Sequence, residues 1–177
     1  MSDQFQLPPR IHAPLLVLGI TAVAAAFAMV EIQIEGANGW ASTLPTWRVE
    51  SHWLLDLFWG GRPMTGYHAW VFAFMGLVFH LGLVTAGRWS WRLEARTLAA
   101  MLLFWIIEDA LWFIFNPAYG WATLTPGKIP WHKHWFLGLP TDYWTFTSVA
   151  AVLMWWSFWQ PRRNPQRNPD PQPQEHA

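Results

Sequence analysis

The segment TLAAMLLFWIIEDALWFIF, residues Thr97–Phe115, decides the fold class of this chain. It has about the length, roughly 20 mainly apolar residues, that a helix needs to cross a bilayer. Its only ionisable side chains are the adjacent Glu108 and Asp109. Asn116-Pro117 ends it, because proline cannot continue a helix. The segment therefore predicts a transmembrane helix that carries two acidic side chains at membrane depth.

Three further apolar segments predict three more spanning helices. They are His12–Ile32, Gly66–Ala86 and the shorter Tyr143–Trp159. The predicted fold class is therefore all-α, an integral membrane four-helix bundle that residues 1–160 form as a single domain. Residues 161–177 are polar and rich in proline, which predicts a disordered tail.

The composition of the chain points to the lipid bilayer as its surroundings. Of its residues, 53% are hydrophobic and 12% are charged, whereas a soluble domain carries about 25% charged residues. The 16 Trp residues are typical of side chains at a membrane–water interface. The net charge is zero and nothing indicates a nucleic-acid partner. The chain has no Cys, which excludes disulfides, thiolate catalysis and iron–sulfur clusters.

The distribution of basic residues predicts the orientation, because positive charge concentrates in cytoplasmic loops. Seven of the 11 Lys and Arg residues fall at the termini and in the short loop between the second and third spans: Arg10, Arg88, Arg92, Arg96, Arg162, Arg163 and Arg167. The others are spread over the two long loops: Arg48, Arg62, Lys128 and Lys133. We therefore expect both termini in the cytoplasm, the two long loops outside, and the cytoplasmic membrane as the location.

The first long loop contains an amphipathic segment, Thr46–Trp59. On a helical wheel its apolar residues Trp47, Leu54 and Phe58 share one face. The segment predicts a short interfacial helix that lies on the outer leaflet. A helix packed on the mouth of the bundle fits the same pattern, and the two interpretations stay open.

Eight ionisable residues are predicted to meet in the outer half of the bundle, where each needs a partner or a function. They are Glu31, Glu35, His68, Glu108, Asp109, His132, His134 and Asp142. Glu108 gives the strongest signal, since it lies about 12 Å below the outer end of its helix. A structural alternative stays open: solvated carboxylates, exposed loop histidines, and a protonated carboxyl bonded to a neighbouring helix.

Carboxylates and imidazoles together are ligands for iron, manganese, zinc or copper, which predicts a divalent metal ion at this site. The predicted ligands are Glu31, Glu35, Glu108, His132 and His134. The two histidines form an H-x-H sequence, and residues i and i+2 of an extended segment point to the same side. The predicted catalytic groups, which exchange protons or orient the ligands, are Asp109, His68 and Asp142.

The residue pattern is compatible with three classes of function. The first is a metal-dependent membrane oxidoreductase or hydrolase that activates oxygen or water against a lipid-like, hydrophobic substrate. The second is a small proton-coupled or ion transporter, working as a homodimer, in which Glu108 binds a proton and His80 continues a relay about 9 Å deeper. The third is a non-catalytic subunit of a larger membrane complex, or a module that binds a lipid or pigment.

Overall fold

The computed structural model describes residues 8–159, and the predicted tail, residues 161–177, lies outside this range. Most of the described chain is helical, in five α-helices: α1 Pro9–Glu35, α2 Trp53–Phe58, α3 Gly66–Ala86, α4 Trp91–Phe115 and α5 Thr141–Phe158. A 3₁₀ turn at Trp121–Thr123 lies between α4 and α5. Two antiparallel pairs of two-residue strands fold the long loops: β1 Arg48–Val49 with β2 Met64–Thr65, and β3 Trp135–Phe136 with β4 Leu139–Pro140. The predicted helical class is confirmed.

Three helices within residues 8–159 are long and apolar enough to cross a membrane, namely α1 from Arg10 to Glu35, α3 and α4. The sequence-based prediction of these three spans is confirmed on length and composition. α5 has 18 residues and is not among them, because polar side chains along it, among them those of Thr141 and Asp142, lower its mean hydropathy. A crossing by α5, and with it a four-helix bundle, stays a prediction.

The helix boundaries follow local capping groups. α3 begins and ends where the sequence predicts, with the Thr65 side chain accepting a hydrogen bond from the backbone N–H of His68 at 3.2 Å. α4 begins before the predicted Thr97, because Ser90 Oγ caps it by accepting from the backbone N–H of Leu93 at 3.2 Å. α1 continues past the predicted Ile32 to Glu35, where Gly36 with φ of 63° ends it.

The predicted loop helix exists but is shorter than the segment Thr46–Trp59. α2 covers only Trp53–Phe58, and His52 caps it, with Nδ1 accepting from the backbone N–H of Leu54 at 3.3 Å. Trp47 and Arg48 lie outside the helix, since pairing of Arg48 with Thr65 holds this part of the loop in an extended conformation. The predicted face that joined Trp47 to Leu54 and Phe58 is therefore wrong.

α4 is the centre of the helical packing, and its contacts with α1 and α5 are far more extensive than its contacts with α3. The loops 36–65 and 116–140 close one end of the helices, which we call the long-loop end. Toward the opposite end, α1, α3 and α4 meet in a cluster of buried side chains that we call the apolar layer: Ile20, Ala24, Met75, Ala100 and Phe104. Alanines at the α1–α4 contact allow the two helix backbones to approach closely.

α3 is the least packed of the three apolar helices. In the most apolar 18-residue stretch of α3, only 6% is buried, against 28% in the corresponding stretch of α1 and 33% in that of α4. Leu77 and Val84 are each 74% exposed, as expected of side chains that face lipid. α3 packs on α4 and scarcely on α1, so an open groove remains between α1 and α3.

The turn at Gly39 provides a test of packing at the long-loop end. Gly39 has φ of 60°, and a Cβ there would lie 2.6 Å from Cη2 of Trp131 and 2.9 Å from Cη2 of Trp112. Gly127 also has a positive φ, 80°, but a Cβ there would have no atom within 4 Å of it. Both Gly→Ala changes strain the backbone, and only the first also overpacks the core.

We expect Gly39→Ala to lower the free energy of unfolding by about 1–3 kcal/mol more than Gly127→Ala does. Denaturant titration of the purified protein in detergent, followed by Trp fluorescence, measures the difference. Equal losses in the two variants would contradict the close packing of Trp131 and Trp112 on this turn.

Candidate functional site

The long-loop end encloses a small cavity of about 40 Å³, which has room for a few water molecules. Five of its lining residues are acidic: Glu31, Glu35, Glu108, Asp109 and Asp142. Arg62 and His68 line it as well, and so do five indole rings, those of Trp40, Trp59, Trp105, Trp112 and Trp131. We call this space the carboxyl cavity. It brings residues from α1, α3, α4, α5 and both long loops to one place.

One wall of the carboxyl cavity contains two glutamates in mutual contact. Glu31 and Glu108 are 7% and 3% exposed, and their carboxyl groups lie within hydrogen-bonding reach of each other. Tyr67 Oη donates to Glu31 Oε1 at 3.0 Å. Two carboxyl groups form a hydrogen bond only when one of them carries a proton. Glu31 and Glu108, which we call the carboxyl pair, can therefore bond to each other when one of them carries a proton.

Glu35 faces the same cavity but is held by the backbone of the first long loop. Its carboxylate accepts hydrogen bonds from the N–H groups of Trp40 at 3.0 Å and Ala41 at 2.6 Å. The nearest imidazole nitrogen, His68 Nε2, is 3.7 Å from Glu35 Oε1. The His68 ring stacks on Trp40 with 3.9 Å between centroids, and its Nδ1 lies 2.7 Å from Thr65 Oγ1. These contacts fix the loop over the cavity.

A buried ion network closes the other wall. Arg62, only 6% exposed, places Nη2 at 2.5 Å from Asp142 Oδ2 and Nη1 at 3.4 Å from Asp109 Oδ1. His132 Nε2 lies 3.3 Å from Asp109 Oδ2, which also accepts a hydrogen bond from Tyr143 Oη. We call these five residues the arginine network. It ties the first long loop to α4, the second long loop and α5.

Electrostatics in the arginine network favour a charged Arg62 and a neutral His132. Burial lowers the pKa of Arg62, but the carboxylates of Asp109 and Asp142 more than compensate and raise it. The pKa of His132 is lowered, first by burial and then by the nearby Arg62 charge. Arg62 Nη2 lies 2.9 Å from His132 Nδ1. A neutral imidazole that accepts there from Arg62 donates its Nε2–H to Asp109.

Four buried side-chain nitrogen or oxygen atoms in the described part of the chain have no hydrogen-bond partner. They are Trp59 Nε1, Arg62 Nε, Glu108 Oε1 and Trp112 Nε1. All four belong to residues that line the carboxyl cavity. An unpaired buried polar group costs about 1–3 kcal/mol, so the concentration of such groups at one cavity indicates a polar occupant. That occupant would accept from N–H groups and also interact with a carboxyl oxygen.

The structure brings the predicted site residues together with one exception. Those that line the cavity or belong to the arginine network are Glu31, Glu35, His68, Glu108, Asp109, His132 and Asp142. The His134 side chain is 51% exposed, and its Nε2 lies 4.0 Å from Asp56 Oδ1. His132 and His134 therefore have separate surroundings rather than the common side that the H-x-H sequence suggests.

The predicted metal ion gains no support from this arrangement. Among residues 8–159, no three His, Asp or Glu side chains are placed so that they could hold a metal ion together. Glu31 of the carboxyl pair accepts a hydrogen bond from Tyr67, and His132 is bonded to Arg62 and Asp109. The acidic and imidazole groups satisfy one another instead of pointing at a common centre.

Three residues of the site were not singled out by the sequence. In the sequence analysis, Arg62 was only one of four basic residues in the long loops, Tyr143 was only the first residue of the predicted fourth span, and Tyr67 was not named. The surplus of acidic residues at one depth was the available signal, since buried carboxylates require a buried cation or a hydrogen-bond donor. That signal indicates the kind of partner but not its position in the chain.

No protein-family model, no curated protein and no solved structure matches this chain significantly. No activity or ligand therefore transfers to it from a relative. Its function has to be inferred from the geometry of the carboxyl cavity and the arginine network.

Acidification should weaken the arginine network through His132. Because the pKa of folded His132 lies below its ordinary value of 6.5, just below pH 6.5 the unfolded chain binds a proton that the folded chain does not. Neutral His132 therefore contributes fully to the free energy of unfolding above pH 6.5, and this contribution is lost as the pH falls below that value. His132→Gln should flatten the decline of the thermal midpoint between about pH 7 and about pH 5.

The matched control for this titration is His134→Gln, which removes the exposed imidazole two residues away. It should leave the decline of the wild type unchanged. A wild-type slope in His132→Gln would show that protonation of His132 is not coupled to folding.

Removal of the Arg62 guanidinium should strongly destabilise the long-loop end. Arg62→Met leaves the buried carboxylates of Asp109 and Asp142 without their cation, which costs about 3–5 kcal/mol. Lys128→Met, at an exposed residue of the second long loop, is the control and should change the free energy of unfolding by less than about 0.5 kcal/mol. Denaturant titration measures both, and similar values for the two variants would contradict the network.

Proposed function

We propose that this chain is an integral membrane four-helix bundle that binds an oxygen-bearing polar group of a lipid-like substrate in the carboxyl cavity and acts on it by acid–base chemistry. One observation carries the proposal: every unpaired buried side-chain nitrogen or oxygen atom of the described residues belongs to a residue that lines this cavity. Three of these atoms are N–H donors and one is a carboxyl oxygen. A hydroxyl, carbonyl or ester oxygen accompanied by water suits that combination.

The proposal includes α5 as the fourth spanning helix. Its 18 residues extend about 27 Å at 1.5 Å per residue, close to the ~30 Å of a hydrocarbon core. α5 packs extensively along α4, so it would share the depth of α4 in a bilayer. The excess of Arg residues at the opposite end favours a long-loop end outside the cytoplasm. The carboxyl cavity would then open toward the outer leaflet.

The carboxyl pair would supply the proton transfer. Two carboxyl groups that share one proton in apolar surroundings provide an acid and a base at the same place. Glu108 has the unpaired Oε1 and would exchange the proton with substrate or water. Glu31, held by Tyr67, would be the partner that stores it. The cavity has room for water, and hydrolysis is the reaction class that needs both water and such a pair.

The unpaired N–H groups would stabilise charge that develops on the substrate oxygen. Arg62 Nε, Trp59 Nε1 and Trp112 Nε1 are buried, and buried donors held in fixed positions act more strongly than donors in water. The arginine network would keep these donors in position, because it bonds Arg62 to three other segments. A metal-dependent version of this reaction would need a group of ligands that the described residues do not provide.

Proton-coupled transport is less well supported than acid–base catalysis. A carrier needs a polar path from the cavity to the short loop at the opposite end. The apolar layer, with Phe104 and Ala24 fully buried, lies in that direction. The hydrogen bonds of His80 go to Gly76 O and Glu94 Oε1 and not to a residue of the cavity. No observation therefore favours this alternative.

Replacement of Glu108 should abolish turnover without loss of the fold. Glu108→Gln keeps the size of the side chain and removes the proton, so the reaction rate should fall by about 10²–10⁴-fold. The substrate should then accumulate in the membranes of cells that express the variant. Comparative mass spectrometry of lipid extracts measures it, and infrared difference spectroscopy should show loss of a protonated carboxyl band.

Glu94→Gln is the matched control, because Glu94 lies on the same helix at the opposite end. It should leave both the lipid extracts and the carboxyl band unchanged. Identical extracts from wild type, Glu108→Gln and Glu94→Gln would refute acid–base catalysis by the carboxyl pair.

A further inference from the structure

The groove between α1 and α3 runs beside the carboxyl cavity and has not entered the mechanism. It has a volume of about 590 Å³, within the range of about 300–1,000 Å³ that is usual for small-molecule sites. Phe27 of α1, the loop residues Pro45, Thr46 and Trp47, and the first part of α3 line it. The groove exists because α3 packs on α4 and scarcely on α1.

Specific contacts build the upper wall of the groove. Gly66 donates its backbone N–H to Trp47 O at 2.9 Å, and Tyr67 donates its N–H to Thr46 Oγ1 at 3.1 Å. A Cβ at Gly66 would lie 2.5 Å from Thr46 Oγ1 and 2.6 Å from Trp47 Nε1. Glycine at this position therefore lets the loop pack directly on the start of α3. These contacts hold the upper wall of the groove in a defined position.

The polarity of the groove changes with depth in the way that an amphiphile requires. Thr46, Trp47 and Tyr67, at its top, have polar and interfacial side chains, whereas Phe27 and Phe74 line its lower part. Phe74 lies about 12 Å below the start of α3 by helical rise. Half of a hydrocarbon core is ~15 Å thick. The groove thus covers most of the depth of one leaflet.

Tyr67 connects the groove to the carboxyl cavity. Its side chain lines the groove, and its Oη donates to Glu31 Oε1 at 3.0 Å. Glu31 lines the cavity, and Phe27 lies one helical turn before Glu31 on α1. The hydrogen bond between Tyr67 and Glu31 therefore joins a residue that lines the groove to a residue that lines the cavity.

The charge of the cavity restricts the head group of the ligand. Five carboxyl groups face one guanidinium there, so a carboxylate or phosphate head would be repelled. A cationic head would leave the three unpaired N–H donors without an acceptor. A neutral head with hydroxyl and ester oxygens satisfies both the donors and the carboxyl pair.

We infer that the groove binds the hydrocarbon chain of a neutral amphiphile, whose hydroxyl- or ester-bearing head reaches the carboxyl cavity past Tyr67. This inference rests on the proposed function and names its substrate class. The hydrocarbon chain of the substrate lies in the groove, and its head group lies in the adjoining carboxyl cavity. Entry is sideways from the leaflet, because the groove is open along its lipid-facing side.

Photolabelling with a monoacylglycerol tests the assignment. The full chain is placed in phosphatidylcholine nanodiscs with a probe that carries a diazirine in the middle of its chain, and labelled residues are mapped by peptide mass spectrometry. Labelling at Phe27 and Val71 should saturate and should be displaced by excess unlabelled monoacylglycerol. Labelling at the lipid-facing Leu77 and Val84 should rise in proportion to probe, as contact with bulk lipid does. A probe with the diazirine on its glycerol should label the segments around Glu31 and Glu108.

Two substitutions on α3 sharpen the test. Val71→Trp fills the groove and should reduce saturable labelling by about tenfold, equivalent to ~1.4 kcal/mol of binding free energy. Leu77→Trp makes the same change on the exposed face, where the side chain is 74% exposed, and should leave saturable labelling unchanged. The competition experiment on the wild type gives the answer even where Val71→Trp does not fold.

Three results would overturn the inference. Labelling at Val71 that does not saturate would show only bulk lipid in the groove, and cross-links between copies at Val71 would show that a second chain covers it. Saturable chain labelling without glycerol labelling near Glu31 and Glu108 would refute the substrate class. If the labelling results contradict the substrate class, Glu108→Gln can still change the lipid extracts. If labelling of the groove saturates but Glu108→Gln leaves the lipid extracts unchanged, only the catalytic proposal is refuted.

Discussion

The buried guanidinium of Arg62 is the constraint on which the long-loop end depends. A side chain that is 6% exposed stays charged only if carboxylates surround it, and Asp109 and Asp142 do so from two different helices. The same requirement fixes the positions of both long loops, because Arg62 belongs to the first and its neighbour His132 to the second. The enclosed cavity is a result of this convergence. With Arg62 in place, the polar ends of α4 and α5 and the two loops form one wall.

The remaining polarity of the site follows from an imbalance of charge. One positive charge, that of Arg62, faces the two carboxylates of Asp109 and Asp142, and Glu35 accepts hydrogen bonds from backbone N–H groups. Glu31 accepts a hydrogen bond from Tyr67, and in the proposed reaction Glu31 and Glu108 share a proton. The site therefore has an ionic half that gives rigidity and a carboxyl half to which we assign the proton transfer. This division explains why groups that look like metal ligands in the sequence bond mainly to one another in the structure.

The sequence predicts the parts of this protein that depend on local physics. α3 was located to the residue from its continuous apolar run, and in the structure a threonine cap and a C-terminal glycine bracket that run. The acidic pair of α4 identified the site, since carboxyls inside an apolar helix need compensation. Arg62 and Tyr67 were missed because their partners are distant in sequence, and only the packing of loops and helices reveals them. His134 was assigned wrongly to the common side of His132, because a loop that is not a regular strand does not keep the alternation of side chains.

Because α3 packs loosely on the other helices, its outward-facing residues are constrained more by the surroundings than by packing inside the protein. α1, α4 and α5 contribute most of the packing, whereas α3 has outward-facing residues such as Leu77 and Val84, each 74% exposed. Substitutions on that outward surface disturb few contacts inside the protein and should be nearly neutral for stability. The surface of α3 is therefore free to vary with membrane thickness and lipid composition from one host to another. Adaptation to a new membrane can proceed there while the long-loop end stays the same.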